Sequence, residues 1–104
     1  MEWLAPWDSM DCYPPNVRHS CCEEFVKKIT PSHALYEVAV KALARGDGDD
    51  TLFVLMDGSG RVAHVHLTWS SRAELLPFPV TTIYDSLELW AKKVMLPEHK
   101  KWLE

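Results

Sequence analysis

Residues 61–69 read RVAHVHLTW, and the alternation of their side chains decides the fold. Successive side chains of a β-strand point to opposite faces of the sheet, so this stretch separates into two sets. One face carries apolar residues only: Ala63, Val65, Leu67 and Trp69. The other face carries two imidazoles and a hydroxyl beside one apolar residue: Val62, His64, His66 and Thr68. The stretch therefore predicts a strand with one core face and one candidate functional face.

Two further strands are predicted before this one. Residues 51–56 form a mostly apolar run of strand length, and residues 57–60 (DGSG) are typical of a hairpin turn. Residues 36–45 alternate only loosely and include good helix formers, but the pattern favours a strand. Residues 80–84 are a candidate edge strand. The sequence thus predicts an antiparallel meander of three strands, with a fourth strand as the open alternative.

A first helix is predicted before the strands. Ser20 and Glu23 have the spacing of a capping box, and Pro31 ends the helix that begins there. Apolar residues then recur at helical spacing: Cys22, Phe25, Val26 and Ile29. These residues are expected to form the buried stripe of the helix.

A second helix is predicted after the strands. Asp85 and Glu88 form another capping box, and Pro97 ends the helix, with one further turn over residues 98–104. Its expected buried stripe has four members: Leu87, Trp90, Ala91 and Val94. The order α-β-β-β-α predicts an α+β fold, with an N-terminal and a C-terminal helix packed on one face of the meander.

The first 18 residues are predicted to be irregular, because their prolines disfavour regular pairing: Pro6, Pro14 and Pro15. The segment is too apolar to be a free tail, since it contains Trp3, Leu4 and Trp7. We expect residues 1–18 to form an arm that packs on the body and covers a sheet edge or a helix seam.

The composition is that of an ordinary globular protein. With 104 residues, 47% hydrophobic and 25% charged, the chain is predicted to form a single domain over residues 1–104. A formal net charge of −4 argues against binding to nucleic acid or to an anionic membrane surface. No apolar run approaches the roughly 20 residues that span a bilayer, and the N-terminus does not resemble a signal peptide. The odd number of cysteines, three, argues against a secreted disulfide scaffold, so we expect a cytoplasmic protein.

Four potential zinc ligands lie close together near the N-terminus: Cys12, His19, Cys21 and Cys22. Structural zinc sites usually contain paired Cys-x2–4-Cys knuckles, and this segment has none. Cys21, close to the predicted helix start, is a candidate nucleophile because a helix N-terminus lowers the pKa of a thiol. No sequence feature positions a base beside it. We therefore predict no metal site and no cofactor.

The strand face that carries His64, His66 and Thr68 is the candidate catalytic site. The tetrapeptide of residues 66–69 (HLTW) is similar to the His-hydrophobic-Thr-hydrophobic motif of 2H phosphoesterases, which use two such motifs as base and acid. The only other candidate motif, HALY at residues 33–36, lacks the threonine. A small hydrolase or a metal-dependent enzyme that uses this face is therefore the alternative functional hypothesis.

The leading hypothesis is a non-enzymatic domain that binds another protein, with a regulatory or immunity-like role. Five tryptophans are difficult to bury completely in so small a core, and tryptophan often dominates binding energy at protein interfaces. The predicted binding residues combine the aromatic arm with the polar strand face: Trp3, Trp7, His64, His66 and Thr68. A second interpretation of Trp3 and Trp7 is that they hold the N-terminal arm against the body.

Six short motifs together resemble a family of short, uncharacterised bacterial proteins, and the resemblance covers most of the chain. They are WLAPW at residues 3–7, ALAR at 42–45 with DDTLF at 49–53, VHLTW at 65–69, TTIYDS at 81–86, and MLPEH at 95–99. The resemblance implies a bacterial, cytoplasmic protein without an assigned activity, so no functional residue is carried over. The chain departs from the family pattern at His64 and at its three cysteines.

Overall fold

A five-stranded antiparallel sheet, with its strands in chain order, forms the centre of the computed structural model, which describes residues 2–29, 31, 33–46, 50–67 and 81–104. The strands are β1 (Asp8–Ser9), β2 (Val40–Arg45), β3 (Asp50–Leu55), β4 (Val62–His66) and β5 (Thr81–Tyr84). The α+β class and the meander are confirmed, but the expected three or four strands understate the sheet. The missing strand, β1, has only two residues and gives no periodic signal.

The hairpin between β3 and β4 follows the prediction. The turn contains Gly58 and Gly60, both with positive φ, and Phe53 pairs with Ala63 across the two strands. The predicted alternation along β4 is also confirmed: Ala63 and Val65 belong to one apolar core and Val62 to another. The strand 80–84 exists as β5 at the sheet edge, where it pairs with β4.

The sheet is covered on both faces, which corrects the expectation that both helices pack on one face. Helix α1 (Pro15–Lys28) contributes Phe25 to the core that contains Ala63 and Val65. The C-terminal helix contributes Trp90 to the core that contains Val62. Since neighbouring residues of β4 belong to different cores, the two helices lie on opposite faces of the sheet.

Helix α1 begins six residues earlier than the capping box predicted, because its N-cap is Pro14 and not Ser20. Pro15 occupies the first helical position, where its missing N–H has no intrahelical partner to lose, and Pro14 precedes the helix. Ser20 therefore lies inside the helix and does not cap it. The buried stripe is also rotated, because Val26 is 63% exposed whereas Cys21 is fully buried.

The C-terminal helix is one continuous element in three parts: Leu87–Trp90, the π-helical Ala91–Met95, and Leu96–Leu103. The cap is Ser86, one residue after the predicted Asp85, and its hydroxyl accepts a hydrogen bond from the amide of Leu89. The predicted buried stripe of this helix is confirmed. All four of its members pack in the core that contains Val62, which we call the second core: Leu87, Trp90, Ala91 and Val94.

The expectation that Pro97 ends the C-terminal helix is wrong. Proline removes a backbone N–H and crowds the preceding turn, so it usually breaks an α-helix. Here the helix widens just before Pro97, and the amide of Leu96 bonds to the carbonyl of Ala91, five residues earlier. The helix continues past Pro97 as the segment Leu96–Leu103.

The N-terminal arm packs on the body, but residues 1–18 are less irregular than expected. They contain β1, a short 3-10 helix (Met10–Cys12) and the first turn of α1. Asp8 pairs with Arg45 at the sheet edge, and Trp7 is buried in the second core. Among the residues that the structure describes, no helix combines the length and apolar character needed to cross a bilayer.

Candidate functional site

A cleft lies between the second face of the sheet and the C-terminal helix. Strands β3, β4 and β5 form one wall and the helix forms the other, and the volume is about 330 Å³. We call this the Asp50 cleft; its lining residues are Asp50, His64, His66, Thr82, Tyr84, Val94 and Glu98. The cleft therefore lies on the strand face that the sequence singled out.

A second depression adjoins the Asp50 cleft and shares Asp50 and Glu98 with it. We call it the Trp102 hollow; its volume is about 370 Å³ and it is lined by Pro6, Asp50, Glu98, Lys101 and Trp102. Trp102 is 55% exposed here. The two depressions together form one surface that carries two carboxylates and has an aromatic rim.

Asp50 joins the two histidines of β4. Asp50 and His66 are cross-strand partners in the β3–β4 register, which brings their side chains together. Oδ1 of Asp50 lies 2.9 Å from Nδ1 of His66, and Oδ2 lies 3.2 Å from Nε2 of His64. One carboxylate therefore orients both imidazoles.

Trp90 fixes the protonation state of His64. The indole N–H of Trp90 donates to Nδ1 of His64 across 3.1 Å. Because an indole nitrogen can only donate, Nδ1 must be unprotonated, and the single proton of His64 lies on Nε2, which faces Asp50. His64 thus links the C-terminal helix to the carboxylate.

Asp50 is held in its ionised form. Partial burial alone would raise the pKa of this carboxyl, but the hydrogen bonds from His64 and His66 outweigh burial and lower the pKa below its ordinary value. The cleft therefore contains a carboxylate anion whose two oxygens each accept a hydrogen bond from an imidazole.

The N-terminal arm supports the other carboxylate of the cleft. The indole N–H of Trp7 donates to Oε2 of Glu98 across 2.8 Å. One residue further along the helix, Nδ1 of His99 lies 2.7 Å from the carbonyl oxygen of Ala5. These contacts hold Glu98 at the junction of the cleft and the hollow.

The predicted site residues occupy different environments. His66 is 55% exposed and lines the cleft, whereas the side chain of His64 is only 17% exposed beneath Trp7 and Trp90. Trp7 is 1% exposed and is a core residue, and Trp3 is partly buried against Trp90. The C-terminal helix therefore covers the His64 end of the polar face of β4, whereas the His66 end remains half exposed. Thr68 lies outside the described residues, as does Trp69.

The pairing of His33 with His66 in a 2H phosphoesterase site is excluded by the fold. His33 packs against Phe25 of α1 and lies 3.2 Å from the hydroxyl of Thr81, the cross-strand partner of Val65. This places His33 on the α1 face of the sheet. His66 points to the other face, so the two imidazoles cannot converge on one substrate.

The three cysteines of the N-terminal segment occupy different environments. Cys21 is buried in the middle of α1, and burial raises its pKa, the opposite of what an activated nucleophile needs. Cys12 is exposed, and Cys22 contacts the carbonyl of Val40 at 3.8 Å. Within residues 2–29, 31, 33–46, 50–67 and 81–104, no group of three or more His, Cys, Asp or Glu is arranged to hold a metal ion.

The sequence reasoning missed Asp50, Glu98 and Trp90 as members of the site. A signal for Asp50 was present: a tight turn at residues 57–60 fixes the register of the hairpin and places Asp50 opposite His66. Glu98 and Trp90 reach the site only through the packing of the C-terminal helix on the sheet. No local pattern predicts which face that helix covers.

No protein-family model, curated protein or solved structure matches this chain. Function is therefore inferred from the geometry of the Asp50 cleft and the Trp102 hollow. The two carboxylates that both depressions share, Asp50 and Glu98, are held by the hydrogen bonds described above.

Proposed function

We propose that this protein is a non-enzymatic interaction domain, with a regulatory or immunity-like role in the cytoplasm, that binds another protein at the Asp50 cleft and the Trp102 hollow. The observation that carries the proposal is the half-exposed ring of Trp102 beside a polar cleft. A large aromatic side chain that remains exposed next to a concave polar surface is typical of a protein interface.

The cleft is also organised in advance of binding. Trp90 and Trp7 hold His64 and Glu98, and Asp50 is held by two imidazoles. Side chains that are already fixed lose little conformational entropy when a partner binds, so more of the contact energy contributes to affinity. This supports a surface that binds a specific partner.

The proposal is tested by capture of the partner from an extract of the native cell, followed by measurement of the dissociation constant with the purified partner. We expect Trp102→Ala to weaken binding at least about tenfold, as for a central interface tryptophan. The matched control is Val26→Ala, which truncates an equally exposed apolar residue on α1, across the sheet from the cleft. Equal affinities for the wild-type protein and Trp102→Ala would refute the proposal.

A small hydrolase is the second candidate, and one observation favours it. His66 donates its Nδ1 proton to Asp50, which leaves Nε2 as an acceptor at the cleft, as in a carboxylate-oriented general base. The test is hydrolysis of p-nitrophenyl acetate and bis-p-nitrophenyl phosphate. Turnover that is lost in His66→Ala and retained in His19→Ala, an exposed histidine on α1, would favour this candidate over a binding domain.

A further inference from the structure

The hydrogen-bonding groups of the Asp50 cleft define the chemistry of the group that it binds. The N–H groups of the wall are already used: His64 and His66 donate to Asp50, Trp90 donates to His64, and Trp7 donates to Glu98. These bonds point into the wall and leave the cleft with few donors to offer. Among the described lining side chains, the remaining donors are Lys101 and the hydroxyls of Thr82 and Tyr84.

Acceptors, in contrast, remain available. Among the described residues, neither Nε2 of His66 nor Oε1 of Glu98 has a hydrogen-bond partner, and both residues line the cleft. Each oxygen of Asp50 accepts one bond from an imidazole and retains further acceptor capacity. The group that fits this surface must therefore donate several hydrogen bonds.

The charge of the surface selects a cation. Asp50 and Glu98 are shared by the cleft and the hollow, whereas Lys101 is the one lysine or arginine among the lining residues described. The exposed ring of Trp102 adjoins the same carboxylates and offers a face to a cation. A guanidinium has five N–H donors in a plane and stacks on aromatic rings, so it matches this set better than an ammonium group.

We infer that the partner inserts an arginine side chain between Asp50, Glu98 and His66, with its plane against Trp102. This inference rests on the proposed function, because it names the chemistry of the partner at the same surface. The guanidinium would donate to Oε1 of Glu98, to the remaining acceptor capacity of the Asp50 carboxylate and to Nε2 of His66, without displacing the bonds that hold the wall together.

The test uses N-acetyl-arginine amide as the probe and N-acetyl-citrulline amide as its neutral isostere, with ¹H–¹⁵N spectra of the full chain as the readout. We expect saturable shift changes at the Trp102 indole and at residues 50, 66 and 98, with a millimolar dissociation constant. Citrulline should bind at least tenfold more weakly, and the lysine analogue should be intermediate. Equal shifts with citrulline, or none with the arginine probe, would overturn the inference.

Two variants make the test specific. Glu98→Gln removes the charge but keeps an oxygen to accept from Trp7, and we expect it to weaken binding of the arginine probe at least fivefold. Glu88→Gln removes an exposed charge from the same helix outside the cleft and should leave binding unchanged. Equal losses in both variants would mean that only the net charge matters, which would contradict a defined site.

The two proposals fail in different ways. If the captured partner binds through Trp102 but excess arginine probe does not compete with it, the arginine inference is wrong and the interaction domain stands. If the probe binds at the cleft but Trp102→Ala captures its partner normally, the interface assignment is wrong and a small guanidinium compound is the ligand.

Discussion

The indole N–H of Trp90 lies 3.1 Å from Nδ1 of His64, and through this bond the C-terminal helix is tied to β4 at the deepest part of the Asp50 cleft. Nε2 of His64 in turn lies 3.2 Å from Oδ2 of Asp50 on β3. The ring of Trp7 meets the His64 ring edge-on, with 5.2 Å between their centroids. A single imidazole thus connects the helix, the sheet and the N-terminal arm.

The first prediction concerns the stability supplied by His64. His64→Phe keeps an aromatic ring but leaves the N–H of Trp90 and one oxygen of Asp50 without a partner, and each unsatisfied buried group costs about 1–3 kcal/mol. We expect a loss of about 2–4 kcal/mol in the free energy of unfolding, measured by urea denaturation. The control is His66→Phe, which loses a bond to the same carboxylate at a half-exposed position and should cost under about 1 kcal/mol. Equal costs would show that the buried contact has no special role.

A second prediction concerns the tautomers of the two histidines. Because Trp90 donates to Nδ1 of His64, this imidazole should carry its proton on Nε2. His66 should have the opposite tautomer, with its proton on Nδ1, because its Nδ1 faces the ionised Asp50. Long-range ¹H–¹⁵N correlation spectra at pH 8 distinguish the two forms directly. Finding both histidines with the proton on Nε2 would contradict the geometry and remove the acceptor proposed for arginine.

The strands could be predicted because their signals are local. A turn with two glycines and the alternation of residues 61–69 define the β3–β4 hairpin without reference to the rest of the chain. The buried stripe of the C-terminal helix could be predicted as well, because its apolar residues recur at helical spacing. Where two local signals competed, the choice was wrong: Pro14 and Pro15 begin α1, although Ser20 and Glu23 have the spacing of a cap.

The site could be predicted only in part, because it is built from contacts between distant segments. His66 was singled out by its place on β4, and its partner Asp50 follows from the hairpin register. His64 is covered because the C-terminal helix crosses the second face of the sheet. Pro97 had predicted that this helix ends before Glu98. A π-helical segment that absorbs a proline has no simple sequence signature, so Glu98 could not be assigned to the cleft.

A third prediction tests the packing of the N-terminal arm. A Cβ added at Gly46 would lie 2.8 Å from Cε2 and Cζ2 of Trp7, whose ring is buried and rigid. Gly46→Ala should therefore destabilise the protein by about 1–3 kcal/mol, as for other overpacked cores, in a thermal or urea unfolding experiment. Gly58→Ala is the contrasting variant, because its Cβ meets nothing within 4 Å and its cost of about 1 kcal/mol comes from a φ of +81°.

A double-mutant cycle separates the two glycine effects. Trp7→Phe provides a smaller ring, so the penalty for Gly46→Ala should fall by at least about 0.5 kcal/mol in that background. The penalty for Gly58→Ala should not change, since Gly58 lies in the β3–β4 turn away from Trp7. If the Gly46 penalty is the same with tryptophan and with phenylalanine at position 7, the close contact is not its cause.

The last prediction concerns the acid sensitivity of the β3–β4 turn. Oδ1 of Asp57 accepts a hydrogen bond from the amide of Ser59 at 2.9 Å, and Oδ2 lies 3.0 Å from the guanidinium of Arg61. These bonds lower the pKa of Asp57 to about 2. The hydrogen bonds with Ser59 cause most of the decrease, followed by the bond from Arg61. A carboxyl whose pKa is lower in the folded state than in the unfolded chain, where it is about 3.9, stabilises the fold above that value. Its contribution disappears as the pH falls from about 4 to about 2.

Asp57→Asn should therefore reduce the melting temperature at pH 6, and the difference from the wild-type protein should shrink steadily between pH 4 and pH 2. The measurement is thermal unfolding by circular dichroism across that range. Glu2→Gln, which removes an exposed carboxylate from the N-terminal arm, controls for the change in net charge. Because Asp57 is at the surface, added salt should reduce the Arg61 part of the effect and leave the shorter-range bonds with Ser59 largely intact. A difference between the two proteins that stays constant down to pH 2 would show that the turn does not depend on the ionised carboxylate.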